Sequence, residues 1–158
     1  MTGELDIQAH LVRAANAEGM HAFKSNNRFL VGVADLSVTH TIRSPSGVVF
    51  FQGTSYVEVK YVKTPSKKGI YQVGLTVPQR NFLRDNNLVG GCSGWLLVVA
   101  LAKGVYECYP GYYDPATPKD QPICAGPNIY KFTKGIGDPW PIRGILRHIW
   151  VGSPHHGA

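Results

Sequence analysis

Acidic residues are scarce in this chain: 10 Asp and Glu stand against 16 Lys and Arg, leaving a formal net charge of +6. That surplus favours a polyanionic partner, although a soluble basic protein without one has the same composition. Cysteine is scarcer still. Cys92, Cys108 and Cys124 are widely and irregularly spaced with no Cys-x-x-Cys pair, which argues against a disulfide framework or a structural zinc site and for reduced core thiols. No window approaches the roughly 18 consecutive apolar residues of a membrane helix, so no membrane partner is expected. The opening residues, Met1-Thr2-Gly3-Glu4-Leu5-Asp6, lack the basic and apolar regions of a signal peptide, and a cytoplasmic protein is expected. A Gly-x-x-x-x-Gly-Lys-Ser/Thr phosphate loop is missing, which speaks against a nucleotide cofactor. Gly91-Cys92-Ser93-Gly94 is not a Gly-x-Ser-x-Gly nucleophile elbow, and His155-His156 have no partner ligands nearby.

What is present suits one α/β domain, with 44% hydrophobic residues over 158 positions. Residues 4–19 predict an amphipathic helix, with Leu5, Ile7, Leu11, Val12, Ala14 and Ala15 at helical spacings, Thr2 as a cap and Gly19 as the stop. Residues 20–25 predict a short strand before the polar turn Asn26-Asn27-Arg28. A second strand is expected over 29–40, with Gly32 giving room for a bend before Asp35. A turn at 41–47 leads to a long strand at 48–63, with Gly53 as an irregularity. Residues 63–69 read as an exposed basic loop. From Thr76 the pattern is helical, with Val77, Phe82, Leu83 and Leu88 on one face and Pro78 in the first turn. Residues 95–101 are a continuous apolar run suited to a buried strand, followed by a hairpin through 102–104 into 105–109. Residues 110–128 are proline-rich and read as a loop or arm; 129–132 suit an edge strand and 142–150 a terminal helix. The order predicts an α/β core over residues 1–109 and a proline-rich C-terminal extension, 110–158, within the same domain.

Chemistry concentrates between Asp35 and Lys60. A strand alternates its side chains, so Glu58 and Lys60 share one face, while Val57, Val59 and Tyr61 take the other. A Glu-x-Lys alone is common on half-exposed strands. Here it stands in an ordered set: Glu4 and Gln8 one turn apart on a helix, Asp35 after an apolar run, Glu58-Val59-Lys60, then a helix bearing Gln79. Basic and amide side chains flank the set: Lys24, Asn26, Asn27 and Arg28 before Asp35, Lys63, Lys67 and Lys68 after Lys60, and Arg80 and Arg84 beside Gln79. Such groups suit sequence-independent phosphate contacts, a solvated loop being the competing reading. Tyr106, Tyr109, Tyr112 and Tyr113 suit base stacking less well than packing of a loop on the core.

The segments Glu4-x-x-x-Gln8-x-x-Leu11-Val12, Gly32-Val33-Ala34-Asp35-Leu36, Val57-Glu58-Val59-Lys60, Leu75-Thr76-x-x-Gln79-x-x-Phe82-Leu83 and Trp95-Leu96-Leu97-Val98-Val99-Ala100 together resemble the PD-(D/E)xK nuclease superfamily. Within it they are most similar to the virus-type replication–repair nuclease (VRR-Nuc) family. The resemblance covers residues 4–102. Ala34 stands where that family usually has proline, and the long Asp35–Glu58 separation requires an extended hairpin.

The resemblance implies a restriction-endonuclease-like core, a central mixed sheet flanked by helices, and a Mg²⁺-dependent deoxyribonuclease in which Mn²⁺ substitutes. It implies Asp35, Glu58 and the Val59 carbonyl as metal ligands, with Glu4 reaching the metal through water or holding a second ion. Lys60 is implied to orient or deprotonate the attacking water, Gln8 to fix the ligand shell, and Gln79 to position water or the scissile phosphate. For Gln8 and Gln79 a solvated helix face is an equal reading. The implied activity is structure-selective endonuclease cleavage of branched DNA, like a Holliday junction resolvase of viral, phage or bacterial recombination and repair, acting as a homodimer in the host cytoplasm. The alternatives are an exonuclease or nicking repair enzyme with the same site, and a non-catalytic basic DNA-binding protein.

Overall fold

A computed structural model describes residues 3–25, 32–63, 68–88, 90–112, 123–126 and 130–152. Asn26, Asn27, Arg28, Lys67, Tyr113 and His155-His156, along with the cap expected at Thr2, lie outside the described residues.

The first helix, α1 (Glu4–Ala17), starts after Gly3, whose N–H is taken by the Asp6 carboxylate at 3.3 Å, and ends before Gly19 in the left-handed region at φ +83°. It buries Ile7, Gln8, Leu11 and Ala15, while Leu5, expected on the apolar stripe, points to solvent. The stripe is therefore the i, i+4 row through Ile7, Leu11 and Ala15. Four strands follow before the next helix: β1 (His21–Lys24), β2 (Leu36–Arg43), β3 (Val49–Val62) and β4 (Tyr71–Val73). The strand expected over 29–40 runs from Leu36 past His40 to Arg43, with Asp35 in the bend before it; residues 29–31 lie outside the described residues. The irregularity assigned to Gly53 falls instead at Phe50 of β3, which the register skips between Ile42 (opposite Phe51) and Arg43 (opposite Val49); Gly53 pairs regularly with His40.

Helix α2 (Val77–Asn87) leads into β5 (Cys92–Ala102), β6 (Val105–Tyr112), β7 (Ile123–Ala125), β8 (Phe132–Gly135) and α3 (Ile142–Gly152). The main sheet has the order β1-β2-β3-β5-β6-β8, with β3 and β5 parallel and the other pairs antiparallel; β4 and β7 form a small second sheet. This is a mixed α/β fold with a central sheet flanked by helices. The β2–β3 hairpin supplies the long connection between Asp35 and Glu58.

The pleat sorts β5 onto two cores. Trp95, Leu97 and Val99 pack with Val57, Val59, α1 and α3; Leu96, Val98 and Ala100 pack with Leu83 of α2 and with Tyr71 and Val73 of the small sheet. Sheet strands buried on both faces read as an unbroken apolar run, which is why residues 95–101 were legible as a strand. The residues after 110 join the same architecture: β6 continues to Tyr112, β8 extends the main sheet, and Ile142, Ile145 and Leu146 of α3 enter the α1-side core. The edge strand expected at 129–132 lies at Phe132–Gly135 instead.

On α2, Val77 and Leu88 are exposed, and the buried face is Arg80, Leu83 and Asn87. The helix is drawn onto β5 by Asn87, whose amide donates to the Gly94 carbonyl at 3.2 Å and accepts the Gly94 N–H at 2.6 Å. A Cβ on Gly94 would meet the Leu83 carbonyl oxygen at 2.3 Å, so the close approach requires glycine there. No helix among the described residues is long and apolar enough to cross a membrane.

Candidate functional site

Beyond the Leu36–Val57 pair at the start of β2, no strand among the described residues pairs this edge of β3, and two carboxylates meet it. The Val59 N–H donates to Asp35 Oδ2 at 2.8 Å, and the Tyr61 N–H donates to Glu4 Oε2 at 3.1 Å. Unpaired edge groups need acceptors, and these side chains provide them from the bend at Asp35 and the first turn of α1. The N–H and C=O of one strand residue project to the same edge, so the Val59 carbonyl opens between the same two carboxylates.

Glu58 and Lys60 point to the α2 face, and Val57, Val59 and Tyr61 to the α1 face, as the alternation predicts. Glu58 is only 2% exposed. Its Oε1 accepts from Gln79 Nε2 at 2.7 Å and lies 3.4 Å from Lys60 Nζ. Gln79 is itself fixed at the α2 N-terminus by a capping box: its Oε1 accepts the Thr76 N–H at 3.0 Å and its own N–H reaches Thr76 Oγ1 at 3.3 Å. One amide thus caps the helix with its oxygen and holds Glu58 with its nitrogen.

Two contacts hold the Asp35 bend in place. The Ser25 N–H donates to the Asp35 carbonyl at 2.9 Å. Gly32, in the left-handed region at φ +83°, lies so close to Pro78 that a Cβ would meet the proline Cβ at 2.4 Å. The bend expected at Gly32 is also the seat for the first turn of α2, which brings Gln79 towards Asp35 and Glu58.

The electrostatics follow from this crowding. Burial, then the neighbouring Asp35 carboxylate, push Glu58 up to about 7 against the lowering effect of Lys60. Asp35 is raised chiefly by burial, with Glu4 adding to it, against the Val59 N–H and Lys60. Two carboxylates share a desolvated place with one lysine to offset them. Gln8 is buried one turn after Glu4 on the same helix.

The flanking cations separate. Lys63 and Lys68 are exposed and Lys24 is half-buried. Arg84 is half-exposed and pairs with Asp85. Arg80, assigned to phosphate contact, is buried with its Nε donating to the Leu75 carbonyl at 3.2 Å, and braces the start of α2. Sequence reasoning missed Arg43, Arg143 and Arg147, which line one groove of about 260 Å³ between the end of β2 and α3. The i, i+4 spacing of Arg143 and Arg147 was the available signal.

Tyr106 and Tyr109 are buried, in keeping with packing, and Tyr109 donates to Glu107 at 2.6 Å. Ser93, in the sequence that fails as an elbow, is buried and accepts from the Trp95 indole N–H. Cys92, Cys108 and Cys124 form no disulfide, and burial pushes the Cys108 thiol up to about 12. Among the described residues no group of three or more His, Cys, Asp or Glu side chains is gathered as a metal cage. Comparison of the sequence with protein-family models and with curated proteins gave no match.

Proposed function

We propose that the protein is a Mg²⁺-dependent DNA endonuclease with a PD-(D/E)xK core of the VRR-Nuc type, selective for branched DNA and working as a homodimer. The observation that carries this reading is the meeting of Asp35, Glu58, Lys60 and Gln79 at the unpaired edge of β3, with Glu4 on the next edge amide.

The donor set suits a hard cation. Mg²⁺ is held through one or two carboxylates and keeps several waters, so a cage of three acidic side chains is not required. Asp35 and Glu58, with the Val59 carbonyl, would hold the ion, which supplies charge neutralisation and an acidified water when bound. Burial first, and neighbouring carboxylates second, raise the proton affinity of both groups despite Lys60, and a divalent cation would favour their charged forms. Gln79 holds Glu58 in one orientation, so the carboxylate is set before substrate arrives. Lys60 shares the face of Glu58, where its ammonium offsets negative charge developing on phosphate and orients a water for attack. Lys24, Lys63 and Lys68 around the site, and the groove of Arg43, Arg143 and Arg147 beyond it, supply cations for DNA phosphates.

Incubating the protein with labelled four-way, flap and linear duplex DNA, with Mg²⁺ or with EDTA, tests this. Mg²⁺-dependent incision favouring branched DNA is expected, abolished in Asp35→Asn and Lys60→Ala protein. Equal digestion of every substrate from its ends would make it an exonuclease. Binding without incision under Mg²⁺ or Mn²⁺ would leave a non-catalytic DNA-binding protein.

A further inference from the structure

Lys134 is a buried cation with no counter-ion among the described residues. It is 6% exposed, and among the described residues no carboxylate lies within ion-pair distance of it. Its Nζ donates to the Gly135 carbonyl at 2.9 Å and sits 4.7 Å from the Trp140 ring centroid and 5.3 Å from that of Tyr106. An ammonium has three donors, and the carbonyl takes one. Aromatic faces offset part of the charge, but a buried ion is ordinarily paired.

Lys134 lines a cavity of about 550 Å³ between α1 and the turn joining β8 to α3, a volume typical of small-molecule sites. The walls combine an apolar surface, Tyr106, Ile136 and Trp140, with His10 and Arg13 of α1. The two carboxylates on the wall are already engaged. Glu18 pairs with Arg143. Asp138 Oδ2 accepts the Gly135 N–H at 3.1 Å, in a turn so tight that a Cβ on Gly135 would strike that oxygen at 2.6 Å. The open cavity therefore offers a ligand two cations, Lys134 and Arg13, beside a flat aromatic wall, with the Asp138 carboxylate tied to the Gly135 N–H and Glu18 to Arg143.

We infer that this cavity binds a small phosphate monoester carried on a planar body, with the phosphate on Lys134 and Arg13 and the planar group against Trp140. A nucleoside monophosphate has that chemistry and size. The inference does not depend on the nuclease reading.

Titration calorimetry of the full chain in EDTA, with inorganic phosphate, dAMP and deoxyadenosine as probes, tests it. Binding of dAMP, weaker binding of phosphate and none of deoxyadenosine are expected. Lys134→Met should weaken dAMP by about ten-fold or more, as loss of a charge-assisted hydrogen bond does, and Lys134→Arg should retain most of the affinity. Trp140→Ala should weaken dAMP and leave phosphate unchanged. Asp35→Asn should bind dAMP as the parent does and isolates this cavity from the β3 edge. No heat with dAMP, equal affinity in Lys134→Met, or loss of binding in Asp35→Asn would each overturn the inference. Should Lys134→Met not fold, an unchanged dAMP-to-phosphate preference in Trp140→Ala would do the same.

Discussion

Gln79 Nε2 donates to Glu58 Oε1 at 2.7 Å while the Gln79 oxygen caps its own helix through the Thr76 N–H. The bond couples the start of α2 to the middle of β3, so the carboxylate orientation depends on where the helix begins. Gln79→Ala removes the donor and half of the capping box. Incision should fall about 10–100-fold, the usual loss when a partner of a metal-binding carboxylate is removed. Stability should drop by only about 1 kcal/mol, the usual worth of a cap. Thr76→Ala provides the control: a comparable stability loss with a smaller loss of incision is expected. Equal losses of incision in the two variants would show that only helix position matters.

Glu58→Gln separates charge from shape. The amide oxygen still accepts from Gln79, but the buried negative charge beside Asp35 is gone. Glu58 is raised to about 7, so between its ordinary value and 7 the folded chain binds the proton more tightly than the unfolded one. Metal-free stability therefore falls as pH rises through that window and stays low above it. At pH 8 in EDTA, Glu58→Gln should be more stable than the parent by on the order of 1–3 kcal/mol, and should not cleave. Added Mg²⁺ should raise the parent's melting temperature and leave the variant's unchanged. A variant that melts lower in EDTA would mean that Lys60 compensates the charge fully.

A second buried titratable group acts in the opposite sense. His40 is 5% exposed, its Nε2 lies 2.8 Å from Ser55 Oγ, and burial lowers it to about 4. Unfolded histidine protonates near 6.5, so stability is fully present above that pH and is lost as pH falls towards 4. The loss should reach up to about 3 kcal/mol. Denaturant melts across pH 4–7 should be compared between Glu58→Gln and Glu58→Gln/His40→Gln proteins, since Glu58 titrates oppositely over part of the range. The double variant should lose most of the acid-side slope. An identical slope in both would remove His40 as its source.

Much of this arrangement was legible because it obeys local periodicities. The alternation through Glu58, Val59 and Lys60 fixed which residues share a face, and the helical pattern was expected from Thr76, the residue whose hydroxyl caps α2. What the sequence hid was contact between distant segments. Gly32 reads as a bend, but that it seats Pro78 depends on how α2 returns over the sheet. Arg80 reads as one more cation on a basic helix; only the packing of α2 on β5 turns it inward. Leu5 and Leu88 fit helical stripes by spacing, yet the cores are chosen by Ile7 and Leu83, whose rows face the sheet. The extension was hardest, because prolines mask β6 beyond residue 109 and nothing local shows that β8 and α3 complete the main sheet and its core.

That last point predicts the outcome of truncation. Removing residues 113–158 deletes β8, exposing the edge of β6 from Val105 to Cys108, and strips Ile142, Ile145 and Leu146 from the core they share with α1. Each buried aliphatic side chain contributes about 1.5–3 kcal/mol, so the three together contribute about 5–9 kcal/mol. A domain of this size holds about 5–15 kcal/mol in all. The shortened chain should therefore lose its cooperative thermal transition and aggregate through the uncovered strand edge. Single substitutions grade the effect: Ile145→Ala should cost about 2–5 kcal/mol and leave the proposed Mg²⁺ binding at the β3 edge intact below its melting temperature. A truncated protein that melts cooperatively near the parent temperature would show that residues 3–112 form the core unaided.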